Sequence, residues 1–270
     1  DGTFDGDGHT ISGIRNINNG GEHQGIFGYV SYYGTVKNVT LADALITGPN
    51  RVGGLVGEND GTIKDNLVIG ATIPTATDNS HGAICGSNNG TLERNYYVGC
   101  TVAGTPNATG VGVGSSSSSS DINGARSAHT LTLGENITAT GESVAYQGTT
   151  YYASNTTVTL GYNNLLEGCV ATYSLDGNVL TGNTFTMPAA DATVNGTFVS
   201  HWHADADHDG TTEERAYIIT TTAGLDLLAT KVNGGTDYYH KFFKLGADIA
   251  YDGTENNYTA IGNSSKYFID

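Results

Sequence analysis

The sequence contains few basic residues: 11 lysines and arginines stand against 27 aspartates and glutamates among 270 residues, and the formal net charge is −16. Nucleic acids and anionic membrane surfaces both attract basic patches, so this balance disfavours either as a partner. The sequence also lacks an apolar run of about 18 residues, the length that a membrane-spanning helix needs. We therefore expect no nucleic acid partner and no membrane insertion.

Cysteine and proline are also scarce, with 3 and 4 residues, whereas glycine is abundant, with 39. Such a share of glycine is typical of a turn-rich β protein. The cysteines are an odd, sparse set. Two interpretations of Cys85 and Cys100 stay open, namely two small buried thiols or a disulfide between them, and Cys169 has no evident mate.

A short phrase recurs along residues 25–114. Its copies are Gly25-Ile26-Phe27-Gly28, Gly54-Leu55-Val56-Gly57, Ala83-Ile84-Cys85-Gly86 and a degraded fourth, Val111-Gly112-Val113-Gly114. The first three lead into second strand-sized pieces, Gly34-Thr35-Val36-Lys37-Asn38, Gly61-Thr62-Ile63-Lys64-Asp65 and Gly90-Thr91-Leu92-Glu93-Arg94. A period of about 29 residues made of short apolar pieces predicts a stack of similar coils. We expect glycine to supply the positive φ angles and the close backbone approach of tight coil corners.

The pattern changes after residue 114. Six consecutive serines, from Ser115 to Ser120, predict a flexible linker. Residues 129–199 hold short alternating runs separated by turn signals such as Asp176-Gly177, which predicts a small antiparallel β domain. Farther along, Thr222 is expected to N-cap a helix over residues 223–232 that ends at two glycines.

The predicted fold class is therefore all-β. It combines a β-helix-like solenoid with a small antiparallel β domain and one short helix near the C-terminus. The predicted parts are a solenoid with a serine-rich linker over residues 1–127, a β spacer domain over residues 128–200, and an acidic linker, helix and strands over residues 201–270.

The repeated phrase, the following Gly61-Thr62-Ile63-Lys64-Asp65-Asn66 and the opening segment at 4–13 resemble the GLUG repeats of bacterial surface proteins. The resemblance covers residues 3 to about 115. It implies a β-helix-like solenoid on an extracellular adhesin or a similar surface protein. Residues 185–194 resemble a phrase from a second repeat domain of bacterial cell-surface proteins, which implies an all-β spacer module with no known chemistry.

The two ends of the chain lie out of phase with this repeat. Roughly the last sixty residues resemble the lead-in that normally precedes a GLUG array, and their expected continuation stands at the N-terminus. An open solenoid end exposes unpaired backbone groups, and residues 237–270 are suited to cover it. The residues predicted to meet are Phe4, Ile11, Phe243, Leu245 and Ile261. Their partner could be in the same chain, in the next subunit of a head-to-tail filament, or in a tandem neighbour.

The acidic stretch at 201–214 holds candidate metal ligands. Asp205, Asp207 and Asp209, followed by Gly210, fit the first half of a calcium loop, and Glu213 lies nearby. This pattern predicts a Ca²⁺ site, and Ca²⁺ is the one cofactor that the sequence suggests. A solvated acidic linker is the alternative interpretation.

The histidines of the same stretch suggest another class of metal site. His201, His203, Asp205 and His208 resemble the ligand motif of zinc hydrolases of the metallo-β-lactamase type. Ala206 and Asp207 disturb the motif's spacing, however, and the αβ pattern of that fold is missing.

Four tyrosines are candidates for stacking on sugar rings: Tyr32, Tyr33, Tyr96 and Tyr97. The alternative is that these rings pack within the β surface. Polysaccharide-degrading enzymes also use β-helices, but they gather charged residues in a cleft. The charged residues of these coils are scattered, mostly at turns: Lys37, Arg51, Lys64, Asp65, Glu93 and Arg94. We therefore expect no enzymatic activity.

Taken as a whole, the sequence predicts a non-enzymatic extracellular protein of a bacterial cell surface with a structural or adhesive role. Head-to-tail filaments formed by strand addition are one arrangement that this order of motifs allows, and the expected partners are other copies or tandem neighbours. A glycan-binding module of a surface protein is the alternative, with a surface glycan or protein as ligand. A polysaccharide-degrading β-helix enzyme is a more distant third.

Overall fold

The computed structural model describes residues 2–17, 21–74, 80–106, 110–112, 124–163, 167–266 and 268. The chain forms two compact units. The first comprises Asp1–Thr132, Thr140–Thr159 and Phe185–Thr193, and the second Leu133–Ala139, Leu160–Thr184 and Val194–Asp270. These units differ from the predicted division into residues 1–127, 128–200 and 201–270, which stays a prediction. Across the described segments, no helix is long and apolar enough to cross a membrane.

Short strands build the N-terminal part of the first unit. In chain order they are β1 (Thr3–Asp5), β2 (Thr10–Ser12), β3 (Arg15–Ile17), β4 (Phe27–Val30), β5 (Thr35–Lys37), β6 (Thr40–Ala42), β7 (Leu45–Thr47), β8 (Val52–Gly53), β9 (Val56–Asn59), β10 (Thr62–Lys64), β11 (Leu67–Ile69), β12 (Thr72–Ile73), β13 (His81–Gly82), β14 (Cys85–Asn88), β15 (Thr91–Glu93), β16 (Asn95–Val98), β17 (Thr101–Val102) and β18 (Thr105–Pro106). Equivalent strands of successive coils pair in parallel, as β1, β5, β10 and β15 do, while β17 and β18 pair antiparallel. The predicted β-solenoid is confirmed.

The strand register follows the sequence repeat. Val36 lies beside Ile63, and Ile63 lies beside Leu92. A second ladder consists of Ile11, Leu41, Val68 and Tyr97. Most of these side chains are buried in the solenoid core. Each coil therefore covers the apolar interior of its neighbour, which is how a stack of short strands becomes stable.

The closing glycines of the repeated phrase lie where the backbones of neighbouring coils approach closely. A Cβ on Gly57 would stand 2.5 Å from the carbonyl carbon of His23, and a Cβ on Gly86 would stand 2.4 Å from that of Arg51. Neither distance is compatible with a side chain. The predicted close backbone approach is therefore confirmed at these two glycines.

The positive φ angles of one coil corner belong to other residue types. Asn38, Asp65 and Arg94 occupy equivalent positions after β5, β10 and β15, and their φ angles are 55°, 57° and 51°. Asparagine and aspartate tolerate this left-handed conformation because their short polar side chains can bond locally. The expectation that glycine supplies it is wrong at this corner.

Buried asparagines stack between coils at this corner and at one further corner. Asn59 Nδ2 donates to Asn88 Oδ1 over 2.7 Å, and Asn66 Nδ2 donates to Asn95 Oδ1 over 2.8 Å. All four side chains are essentially inaccessible to solvent. These ladders satisfy polar groups inside a narrow apolar core.

Cys85 and Cys100 lie in the apolar interior of the solenoid. Cys85 donates its thiol to the carbonyl of Ser87 over 2.9 Å, and Cys100 donates to that of Val68 over 3.4 Å. Burial raises the pKa of Cys100 to about 11. These contacts match the buried-thiol interpretation.

The remaining elements span both units. In chain order they are β19 (Ala125–Leu133), β20 (Ile137–Gly141), β21 (Ser143–Tyr146), β22 (Thr149–Ala153), β23 (Thr157–Tyr162), β24 (Cys169–Leu175), β25 (Asn178–Val179), β26 (Thr184–Thr186), β27 (Ala192–Ser200), β28 (Trp202–His203), β29 (Tyr217–Ile219), helix α1 (Thr222–Asn233) and β30 (Phe243–Leu245). The serine run and the last two residues of the fourth repeat copy lie outside the described residues.

In the first unit, β19 continues a solenoid sheet into a hairpin. Ala125 pairs in parallel with Asn95 of β16, and Ala128 then pairs antiparallel with Ala153 of β22. Strands β21 and β22 are joined by Gln147-Gly148, whose φ angles of 47° and 82° give the tight two-residue hairpin turn. The predicted antiparallel β structure is confirmed here.

The second unit combines antiparallel strands with the single helix of the described chain. β24 pairs antiparallel with β27 and, across the Asp176-Gly177 turn, with β25. Strands β28, β29 and β30 form a separate sheet, in that order. Leu228 and Val232 of α1 pack with Trp202 in the core of this unit. The predicted short helix near the C-terminus is confirmed.

Candidate functional site

The outer edge of the first coil is one candidate surface, and we call β1 and β2 the first-coil edge. Among the described strands, each is the end strand of its sheet. Phe4 on β1 is 43% exposed, and its ring centroid lies 5.0 Å from that of Phe27. Ile11 on β2 is half-buried and packs against the solenoid core. This edge therefore presents backbone hydrogen-bonding groups beside an exposed aromatic ring.

A groove of about 330 Å³ lies next to β1. Its lining includes Phe4, Phe27 and Tyr29 together with the backbone around Gly2 and Gly34. The Tyr29 hydroxyl donates to the carboxylate of Asp60, and this bond raises the pKa of Tyr29. An unpaired sheet edge beside a groove that contains aromatic side chains is suited to receive an added β-strand.

The three C-terminal residues of the predicted assembly set lie in different surroundings. The Phe243 ring centroid lies 5.1 Å from that of Trp202, and Ile261 packs against the same buried cluster. Leu245 is 64% exposed on β30, the end strand of its sheet among the described strands. Two of the residues therefore stabilise the second unit, and only Leu245 faces outward.

The four candidate sugar-stacking tyrosines divide into two pairs. Tyr32 and Tyr33 are 76% and 71% exposed, and their ring centroids lie 4.9 Å apart in an edge-to-face arrangement. Tyr96 and Tyr97 are buried. Tyr96 packs with Ala128 and Ala153, and its hydroxyl donates to Glu142 over 2.9 Å. Buried rings offer no face to a sugar, so only the first pair could form a platform.

The loop between β28 and β29 brings together part of the predicted metal site. Nε2 of His203 lies 2.9 Å from Oδ2 of Asp205, and Nδ1 of His208 lies 2.9 Å from Oδ1 of the same carboxylate. The two imidazole ring centroids are 4.2 Å apart. Hydrogen bonds from His208 and from the Asp207 backbone lower the pKa of Asp205 to about 2. The side chain of Asp205 therefore remains an anion, and each of its two oxygens contacts one imidazole.

The other predicted calcium ligands are not gathered with Asp205. Nε of Arg215 donates to Oδ1 of Asp209 over 3.1 Å, and Thr211 donates to the same oxygen over 2.6 Å. The Arg215 hydrogen bond is the largest of the interactions that lower the pKa of Asp209. Asp207 and Glu213 are exposed. Within the described residues, the group of three side chains that could hold a metal ion is His203, Asp205 and His208.

The alternating aspartates are the more regular pattern in the sequence, but the structure gathers two histidines with one of these aspartates. The available signal was His203-x-Asp205-x-x-His208. This spacing brings the side chains together only because Asp205 and His208 form a β-bridge that folds the loop back on itself. That turn could not be read from the residue types alone.

Comparisons with known proteins give one partial match. Halomucin from Haloquadratum walsbyi (strain DSM 16790 / HBSQ001) is 41% identical to this chain over 69 residues, which is 26% of this chain and 1% of halomucin. No protein-family profile matches the chain, and no solved structure does. Because the chain spans about 1% of halomucin's length, the match assigns no family.

Proposed function

We propose that this chain is a non-enzymatic structural or adhesive module of an extracellular surface, and that its first-coil edge receives a β segment from another copy of the chain. The observation that carries the proposal is the end strand β1, which bears exposed Phe4 beside an aromatic groove. A solenoid coil is stabilised by the coil stacked upon it. The β-solenoid fold and the partial match to halomucin are compatible with a surface structural protein.

The donor in this proposal is β30 of the neighbouring copy. It is an end strand, it carries the exposed Leu245, and Phe242 just before it is 43% exposed. Addition of β30 to β1 would pair two strand edges and cover apolar side chains on both. Because donor and acceptor are different surfaces, repeated addition yields a head-to-tail filament.

Point substitutions test this better than a truncation. Removing residues 237–270 would also remove Tyr238, Phe243 and Ile261 from the core of the second unit. The measurement is sedimentation of the wild-type chain over a wide range of concentration, with Phe4→Asp as the acceptor variant and Leu245→Lys as the donor variant. Val179→Lys is the matched control, because Val179 is 74% exposed on β25 and belongs to neither surface.

We expect concentration-dependent association of the wild type and of the control, and loss of self-association in each variant. A mixture of the two variants should form heterodimers and nothing larger, because each retains one intact surface. A wild type that stays monomeric at all concentrations would refute the assembly. The glycan-binding alternative would then lead, with Tyr32 and Tyr33 as its exposed rings.

A further inference from the structure

We propose that His203 Nε2, His208 Nδ1 and the carboxylate of Asp205 form a binding site for a divalent transition-metal ion of the Zn²⁺ class. Their candidate ligand atoms all lie within 4.8 Å of one another. Two imidazoles and one carboxylate are a ligand set typical of zinc sites that leave a fourth position to water or another ligand. The site belongs wholly to the second unit and is independent of the first-coil edge.

The spacing of the ligand atoms fits a small ion. Ligands bound to tetrahedral Zn²⁺ at about 2.0–2.2 Å stand roughly 3.3 Å from one another. Both nitrogens are 2.9 Å from an oxygen of Asp205. Because all three ligand atoms also lie within 4.8 Å of one another, side-chain adjustment alone can close the set around the ion. The side chains of His203 and Asp205 are 56% and 44% exposed, so an ion can enter from solvent.

The surrounding backbone holds the ligands in place. Oδ1 of Asp205 accepts hydrogen bonds from the backbone N–H groups of Asp207 over 2.8 Å and His208 over 2.9 Å. His203 lies on β28, where it pairs with Ile218 of β29. A ligand set whose positions are already fixed loses less conformational entropy when the ion binds.

Nitrogen ligands and the position of Arg215 favour Zn²⁺ over Ca²⁺. Calcium takes six to eight oxygen ligands, whereas imidazole nitrogen suits zinc, copper and nickel. Asp209, which a calcium loop would need, is bound by the Arg215 guanidinium. His203, Asp205 and His208 are therefore the residues of this loop that we propose as metal ligands.

The neighbouring tryptophan makes the site measurable. Trp202, the sole tryptophan of the sequence, directly precedes His203 and is buried in the second unit. We would titrate the untagged, chelator-treated full chain with Cu²⁺ or Co²⁺ and follow quenching of its fluorescence, and with Zn²⁺ by calorimetry. The test variants are His203→Ala, His208→Ala and Asp205→Asn. The controls are His9→Ala, an exposed histidine of the first unit, and Glu213→Gln, a carboxylate of the predicted calcium set.

We expect one Zn²⁺ per chain, and an affinity that falls about 10- to 100-fold in each test variant but stays unchanged in both controls. Quenching of Trp202 should weaken in parallel, and excess Ca²⁺ should not compete.

Unchanged Trp202 fluorescence of the metal-free variants would establish that the second unit remains folded. Absence of Zn²⁺ binding, or Zn²⁺ binding that survives His203→Ala and His208→Ala, would overturn the proposal. Competition by Ca²⁺ that depends on Glu213 would overturn it in favour of the calcium loop.

Discussion

At the scale of single residues, buried asparagines do what apolar residues cannot do inside this solenoid. The Oδ1 atom of Asn66 accepts the backbone N–H of Val39 over 2.9 Å, while its Nδ2 donates to Asn95 of the next coil. Asn95 in turn donates to the carbonyl of Ile63 over 2.8 Å. Each side chain therefore satisfies backbone groups at a corner where strand pairing is interrupted. Unsatisfied, those groups would be costly to bury.

We predict that Asn66→Ala lowers the free energy of unfolding by about 2–3 kcal/mol, because it leaves buried donors and acceptors without partners. Chemical denaturation followed by circular dichroism measures this change. Asn89→Ala is the matched control. Asn89 is an exposed asparagine of the same solenoid that bonds Asp60, so its loss should cost no more than a few tenths of a kcal/mol. Equal costs for the two substitutions would contradict the role of burial.

At the scale of elements, helix α1 shows how closely the local sequence predicts where a helix begins and ends. The sequence places the N-cap at Thr222, whereas the structure places it at Thr221, whose side chain accepts the N–H of Gly224 over 3.1 Å. Two adjacent threonines fit the capping preference equally well. The hydrogen bond to Gly224 distinguishes them in the structure, and Leu228 and Val232 of the same helix are buried. The end is less ambiguous, because Gly235 has a φ of 99°.

Substitution of the two threonines distinguishes the caps. We expect Thr221→Ala to destabilise the second unit by about 1 kcal/mol, because the N–H of Gly224 loses its acceptor. Thr222→Ala should be nearly neutral, since alanine is a better helix former than threonine within the first turn. Urea denaturation monitored by Trp202 fluorescence reports on this unit directly. A larger destabilisation by Thr222→Ala than by Thr221→Ala would instead support Thr222 as the N-cap, as the sequence predicts.

At the scale of the whole molecule, carboxylates dominate the charge, and several are held in ionised form by the fold. Hydrogen bonds from Lys37 and Asn38 lower the pKa of Asp5 to about 2. The backbone N–H of Thr130 lowers the pKa of Asp191. Burial would raise the pKa of Glu167, but hydrogen bonds from Lys231 and Tyr238 outweigh burial and leave it lowered. These groups bind protons more weakly in the folded chain than in the unfolded chain.

We therefore predict that stability is lost at acid pH. A lowered folded-state pKa contributes stability that is present above the unfolded pKa, near 4, and that disappears as pH falls through the folded value, which is about 2 for Asp5. Burial also lowers the pKa of His129. Because the unfolded chain protonates this histidine more readily, a further loss of stability begins below about pH 6.5. Denaturation curves between pH 7 and pH 2 should show decreasing midpoints. Glu167→Gln should weaken this dependence, and a flat profile in the wild type would contradict it.

The fold class and the spacing of the coils could be predicted from the sequence alone. Glycines at 28, 57 and 86, with strand-sized apolar pieces between them, fix a period that the strand register follows residue by residue. This succeeds because stacking of equivalent positions is a nearest-neighbour property and needs only a repeated local pattern. The turns at Gln147-Gly148 and Asp176-Gly177 are local in the same sense.

Which side chains are accessible to a ligand or partner could not be predicted from the sequence, because it depends on the tertiary structure. Tyr96 and Tyr32 look alike in the sequence, but a hairpin more than forty residues farther along the chain covers the first and leaves the second exposed. Likewise, Arg215 removes Asp209 from the acidic loop, and a β-bridge places His208 beside Asp205. Burial and side-chain partners depend on residues distant in sequence, so no local pattern can specify them.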